Sequence, residues 1–178
     1  MKQSTKNITL SGMFLAIGLV LPFITGQIPQ IGKMLCPMHL PILLCGFFCG
    51  WQYAAAIGFI CPLLRSVMFG MPVLYPSAIG MAFELMTYGL IVGILSSKIG
   101  TDKIWKIYVS LIVAMLCGRA VWGIAQIVLL GIKGNQFTLS AFLAGGFINA
   151  FPGIILQLVL IPVLVRLFKT QLKKQSLT

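Results

Sequence analysis

Between Ile8 and Phe168 the chain is a succession of apolar runs with very few charged residues inside them. A helix needs about 20 residues to cross the hydrocarbon core of a bilayer, and most of these runs reach that length. In such a solvent every backbone N–H and C=O must be paired within the chain, so the runs must be helices. Six can be placed: Ile8–Thr25, Met34–Gly50, Gln52–Phe69, Ser77–Ser97, Ile104–Gly131 and Thr138–Phe168. The second is short and interrupted by Pro37 and Pro41. The expectation is an all-α integral membrane protein, a six-transmembrane-helix bundle forming one domain over residues 1–178. Composition agrees, since only 8% of the residues are charged and 59% are hydrophobic; a soluble domain carries about a quarter charged residues.

The first run follows a basic start and so imitates a secretory signal. No small-residue cleavage site follows Phe23, and the run is expected to stay as the first helix.

Charge orients the bundle. The net charge is +11, which in a soluble protein would suggest nucleic acid. Here the basic residues flank apolar runs, so the bilayer explains them and no nucleic-acid partner is expected. With both termini on one side, that side holds Lys2, Lys6, Lys98, Lys103, Lys106, Arg166, Lys169, Lys173 and Lys174, against Lys33 and Lys133 opposite. Cationic loops stay inside, so cytoplasmic N- and C-termini in a multi-pass plasma-membrane protein are expected.

Two arginines remain, both within apolar runs. Charges there are costly and usually mark function. Arg65 lies near the outer end of the third run and Arg119 in the outer half of the fifth. Glu84 lies a short way into the fourth, the single His39 into the second, and Asn149 about midway along the sixth. Five helices thus bring polar groups to the outer half of the bundle, which points to one outward-facing pocket. Two arginines against one glutamate leave it about +1, a match for an anionic ligand such as a carboxylate. Arg119 is the first candidate for that carboxylate, with Arg65 and Glu84 as a supporting pair. Tyr75, Tyr88 and Trp122 offer an apolar wall with polar edges. Each has a plainer reading: Arg65 snorkelling to the interface, Glu84 a counter-ion, His39 a core hydrogen bond, Asn149 a helix-to-helix bond.

Catalytic patterns are missing. No second acid within the membrane pairs with Glu84, Asp102 falls in a polar turn, and no histidine pair or phosphate-binding loop is present. No enzymatic activity, metal or cofactor is therefore expected. Cys36, Cys45, Cys49, Cys61 and Cys117 all sit in or beside apolar runs and suit helix packing better than a disulfide framework. Gly12 and Ala16 form a small-x-x-x-small pair that lets another helix approach closely.

The chain resembles the substrate-binding S components of energy-coupling-factor (ECF) vitamin transporters over nearly its whole length. The resemblance is carried by Leu35-Cys36-Pro37-Met38-His39-Leu40-Pro41, Leu43-Leu44-Cys45-Gly46, Pro62-Leu63-Leu64-Arg65-Ser66, Gly70-Met71-Pro72 and Met81-Ala82-Phe83-Glu84. It implies high-affinity capture of a vitamin or precursor, then docking with a membrane T component and two cytoplasmic ATPases of an ABC-type importer. It also implies toppling of the subunit in the membrane to release the substrate. Gly12 and Ala16 match the family's docking face, with Gly12 where alanine is more usual. The loops Gly26–Lys33, Gly70–Pro76 and Ile132–Phe137 match the lids. Pocket charge favours pantothenate, and folate or nicotinate satisfies the same argument. The competing readings are a stand-alone proton-coupled carrier using Glu84, a membrane enzyme and a structural membrane subunit.

Overall fold

The computed structural model describes residues 3–24, 34–132, 134 and 137–175. Its elements are α1 (Gln3–Ile24), α2 (His39–Phe48), α3 (Trp51–Phe69), a π-turn (Leu74–Ala78), α4 (Ile79–Ile99), α5 (Ile104–Ile132), α6 (Leu139–Leu143), a second π-turn (Ala144–Ile148) and α7 (Phe151–Gln175). Among the described residues no strand is present. The expected loop Gly26–Lys33, together with Lys2 and Lys133, lies outside the described residues, as does part of Ile132–Phe137.

Among the described residues five helical stretches are long and apolar enough to cross a membrane: Ser4–Ile24, Trp51–Phe69, Leu74–Ile99, Ile104–Ile132 and Leu139–Thr170. The segment expected at Met34–Gly50 does not make a sixth. Met34 and Leu35 are helical, Cys36 then takes a left-handed φ of 47°, and the helix resumes at His39. The ten residues of α2 reach about 15 Å, half of a hydrocarbon core about 30 Å thick. Pro37 lies outside the helix. Pro41 lies in its first turn, where the missing N–H has no intrahelical partner to lose.

This short helix is the centre of the bundle. Ile42, Leu43 and Cys45 are fully buried, and α2 packs against α1, α3, α4 and α7. The other axis of the fold is the close contact of α3 with α4. A Cβ at Gly58 would fall 2.5 Å from the carbonyl oxygen of Leu85, one at Gly89 2.5 Å from the backbone of Ala54, and one at Gly93 2.4 Å from Trp51. The two backbones therefore touch, as small residues permit between membrane helices.

The ends of the helices sort into two layers. Asn7 Nδ2 donates to the Cys49 carbonyl at 3.3 Å, Lys169 Nζ donates to Thr101 Oγ1, and Lys106 pairs with Asp102 at 2.8 Å. Phe48 at the end of α2 meets Phe168 of α7 edge-on at 5.6 Å, so the start of α1, the α2–α3 and α4–α5 turns and the end of α7 share one end of the bundle. The Lys106 ammonium holds the exposed Asp102 carboxyl below its ordinary pKa. At the other end Phe23 meets Phe69 edge-on at 4.9 Å, and Tyr75 donates to the Leu129 carbonyl.

Gly93→Ala is expected to force α3 from α4, costing about 1–3 kcal/mol of stability as overpacking does. Gly131→Ala, where a Cβ meets nothing within 4 Å, is expected to cause no loss. Thermal unfolding of the two variants in detergent checks the contrast.

Candidate functional site

Four polar side chains from three helices meet inside the bundle. Glu84 on α4 is 2% exposed, and its Oε1 accepts from Arg119 Nη1 at 2.8 Å and from Tyr88 OH at 2.9 Å. His39, the first residue of α2, brings Nε2 to 3.5 Å from the same oxygen, too far for a well-aligned hydrogen bond. Its ring lies 5.3 Å from that of Tyr88. Arg119 Nη2 donates weakly to Cys36 Sγ at 3.9 Å.

Local sequence explains the arrangement. Glu84 and Tyr88 are four apart on one helix, so they stack on the same face and the phenol reaches the carboxylate. Gly118 leaves room for that ring: a Cβ there would fall 2.0 Å from Tyr88 Cε1. The break at Cys36 starts α2 inside the bundle rather than at its surface, and so delivers His39 to the carboxylate.

The cluster is neutral as a pair and polar beyond it. Arg119 and Glu84 cancel, which corrects the expected pairing of Glu84 with Arg65. Arg65 is buried elsewhere: it donates to the Leu19 carbonyl of α1 and sits 4.8 Å and 5.3 Å from the rings of Phe23 and Phe69. Its charge is met by a helix carbonyl and two aromatic faces, so the +1 counted along the sequence is not concentrated at one place. Within the cluster, Arg119 Nε and both ring nitrogens of His39 are buried without a hydrogen-bond partner. Arg119 Nε and the protonated ring nitrogen of a neutral His39 are donors, and the other ring nitrogen is an acceptor.

The other expected residues lie around this centre. Trp122 packs on Phe137 at 5.8 Å and Phe142 at 6.2 Å. Its ring also lies where Cβ atoms at Gly145 and Gly146 would point, and Gly146 faces the Arg119 stem. Trp122 is therefore one side chain removed from the cluster. Tyr75, half-buried, spends its hydroxyl on α5 rather than on the cluster. Asn149 does not join the group. It is exposed, because the π-turn before it rotates its side chain off the buried face of the last span. An apolar cavity of about 310 Å³ opens between α5 and residues 137–142, lined by residues such as Gly123, Ile127 and Phe142 and by none of the four cluster residues. Gly12 and Ala16 are exposed on α1, and a Cβ at Gly12 would meet nothing within 4 Å.

Two buried amides escaped sequence reasoning: Gln126, 6% exposed, and Gln157, 1% exposed. Their signal was a lone amide at helical spacing among apolar residues, weaker than a charge but of the same kind. Among the described residues no cluster of His, Cys, Asp and Glu could hold a metal.

A family model described as "ECF transporter, substrate-specific component" matches residues 6–165. No curated protein and no solved structure gives a match.

Removing one partner of a buried ion pair costs about 3–5 kcal/mol, whereas replacing both with apolar groups of similar size is often neutral. Arg119→Met is therefore expected to lower the melting temperature strongly, and Arg119→Met with Glu84→Leu to recover most of it. Melting curves of the single and double variants check this.

Proposed function

The chain belongs to the substrate-specific components of ECF transporters, and we propose that it captures a vitamin or vitamin precursor with high affinity at the His39–Glu84–Tyr88–Arg119 cluster. Membership in this family implies a T component and ATPases as partners and a small molecule as substrate. The chain is a multi-pass membrane protein. In the proposed setting it sits in a bacterial plasma membrane with the lysine-rich end, around Lys98, Lys103, Lys106 and Lys169, in the cytoplasm. Two partner ATPases, not this chain, hydrolyse ATP.

The observation that carries the reading is the set of buried, unpartnered nitrogens, the Arg119 Nε donor and the two ring nitrogens of His39 (one donor and one acceptor in the neutral ring), around a carboxylate already satisfied by two bonds. A fold gains nothing by burying donors unpaired, since each such group costs about 1–3 kcal/mol. A ligand rich in acceptor oxygens repays that cost when it binds. A carboxylate-bearing vitamin suits them best: pantothenate is a compact example, and folate and nicotinate carry the same group. Arg119 Nε and Nη2 meet the carboxylate, with Glu84 holding the guanidinium in place from the other side. Gly12 and Ala16, on an open face of α1, meet the T component.

The full chain purified in detergent is expected to carry or bind its substrate tightly, identified by mass spectrometry of the copurifying small molecule. In proteoliposomes it is expected to take up nothing until the T component, the ATPases and ATP are added. Uptake by the chain alone that collapses with an uncoupler would replace this reading with a proton-coupled carrier working through Glu84.

Gly12→Leu separates the two surfaces. It is expected to leave substrate binding intact and to remove most ATP-driven uptake, because a bulky side chain holds the partner helix off. Loss of binding in the solitary variant would show that this face packs internally.

A further inference from the structure

The inner face of α7 is the row Gly153, Gln157, Ile161 and Val165, four residues apart and all buried. Ile161 and Val165 belong to the apolar core together with Ile107, Leu111 and Ala114 of α5. Gln157 is the one polar member of the row. It is 1% exposed, and its amide nitrogen has no hydrogen-bond partner. Leucine at this position would continue the row without leaving a buried donor unpaired.

Helix register, with the burial of this face, places the amide inside the bundle about one turn from the height of the cluster. α7 packs on α5 and α2, and Lys169 of α7 reaches Thr101 just before α5 begins. From that shared end the two antiparallel helices rise together. Counting turns along both helices from that contact puts Val165 near the height of Ile107, Ile161 near Leu111, Gln157 near Met115 and Gly153 near Arg119. The other end of the row fixes the same height. A Cβ at Gly153 would fall 2.5 Å from the Met34 carbonyl oxygen and 2.8 Å from the Leu35 backbone. The next residue, Cys36, touches Arg119, and its carbonyl accepts from the His39 backbone N–H. Gln157 is thus one helical turn, about 5.4 Å, from the level of Cys36 and Arg119.

We propose that Gln157 is a ligand-reading residue of the same site, donating its amide N–H to an uncharged acceptor oxygen, an amide carbonyl or hydroxyl, of the captured molecule. This rests on the capture function proposed above and deepens it. Arg119 and His39 address a charged end of the ligand, and Gln157 addresses a neutral oxygen about one helical turn away. A molecule with only a carboxylate leaves Gln157 unspent, whereas one with a carboxylate and an amide or hydroxyl oxygen uses both. The division gives specificity that net charge cannot, because a site built to hydrogen-bond an oxygen discriminates against molecules lacking it.

The test uses the full chain in detergent, freed of small molecules, with pantothenate (carboxylate, amide and hydroxyls) and nicotinate (a carboxylate and a ring nitrogen, with no amide or hydroxyl oxygen) as probes. Ligand-free Gln157→Leu is expected to melt no lower than wild type, because the amide serves the ligand and not the fold. Calorimetry is expected to show pantothenate binding weakened about 10-fold, the usual worth of one neutral hydrogen bond, and nicotinate binding unchanged. Gln157→Glu, which puts an acceptor where the donor was, is expected to bind pantothenate more weakly than Gln157→Leu. A ligand-free Gln157→Leu that melts several degrees lower makes Gln157 structural and overturns the proposal. Equal loss of both probes, or no loss of pantothenate, overturns it too. If neither probe binds wild type, the carboxylate-vitamin reading fails. The ligand-free comparison then decides Gln157 by itself: a variant at least as stable as wild type sustains the assignment, and a less stable one ends it.

Discussion

A carboxylate in the interior of a membrane bundle cannot be left alone, and the satisfaction of Glu84 governs the rest of the site. Its cost in a low-dielectric interior is several kcal/mol, and one residue cannot offset it. Arg119 supplies the opposite charge at 2.8 Å and Tyr88 a hydroxyl at 2.9 Å. These come from α5 and from the next turn of α4, so the relative rotation of the two helices is fixed by the pair. His39 adds a third direction from α2. A change in the packing of any of the three helices is felt at Glu84.

The geometry that lets α2 take part depends on its shortness. A full span at Met34–Gly50 would carry its ends to the two membrane faces and leave the polar groups mid-helix, with all their backbone bonds already made. Breaking the chain at Cys36 instead places the first turn of α2, with His39 at its start, at the level of the cluster, and the Cys36 carbonyl takes the first N–H of that turn. The Gly58, Gly89 and Gly93 contacts have the complementary effect. By letting α3 and α4 meet backbone to backbone, they hold α4 firmly along most of its length, and so hold Glu84 and Tyr88 at a fixed height.

Much of this could be seen in the sequence. Apolar runs gave the helices, because the bilayer leaves the backbone no alternative, and the rarity of charge in them drew attention to Arg65, Glu84 and Arg119. The partners of those charges could not be seen. Arg65 and Glu84 lie on consecutive helices at similar distances from a shared loop, which suggested a pair. Depth alone says nothing of rotation about the helix axis, and rotation turns Arg65 toward α1 and Glu84 toward α5. The length of α2 was equally hidden, since Pro37 and Pro41 announce an interruption without saying which side remains helical. Asn149 looked central by counting residues, and the wide turn at Ala144–Ile148 changes the count.

The two arginines illustrate how burial divides a single residue type into different tasks. Arg65 lies between two aromatic faces and under a helix carbonyl, contacts worth about 0.5–2 kcal/mol each when desolvated, and these join the ends of α1 and α3. Arg119 faces a full negative charge and is neutralised by it. In the proposed capture role a guest carboxylate would find no net positive charge to draw it in, and recognition would come from direction: donors on Arg119 that Glu84 does not occupy, held in a fixed fork because Glu84 occupies another. A site of that kind would select for geometry more than for charge, and that would give a use to an ion pair that two apolar residues could replace at little cost in stability. The glutamate spends part of the arginine's capacity so that the remainder points one way.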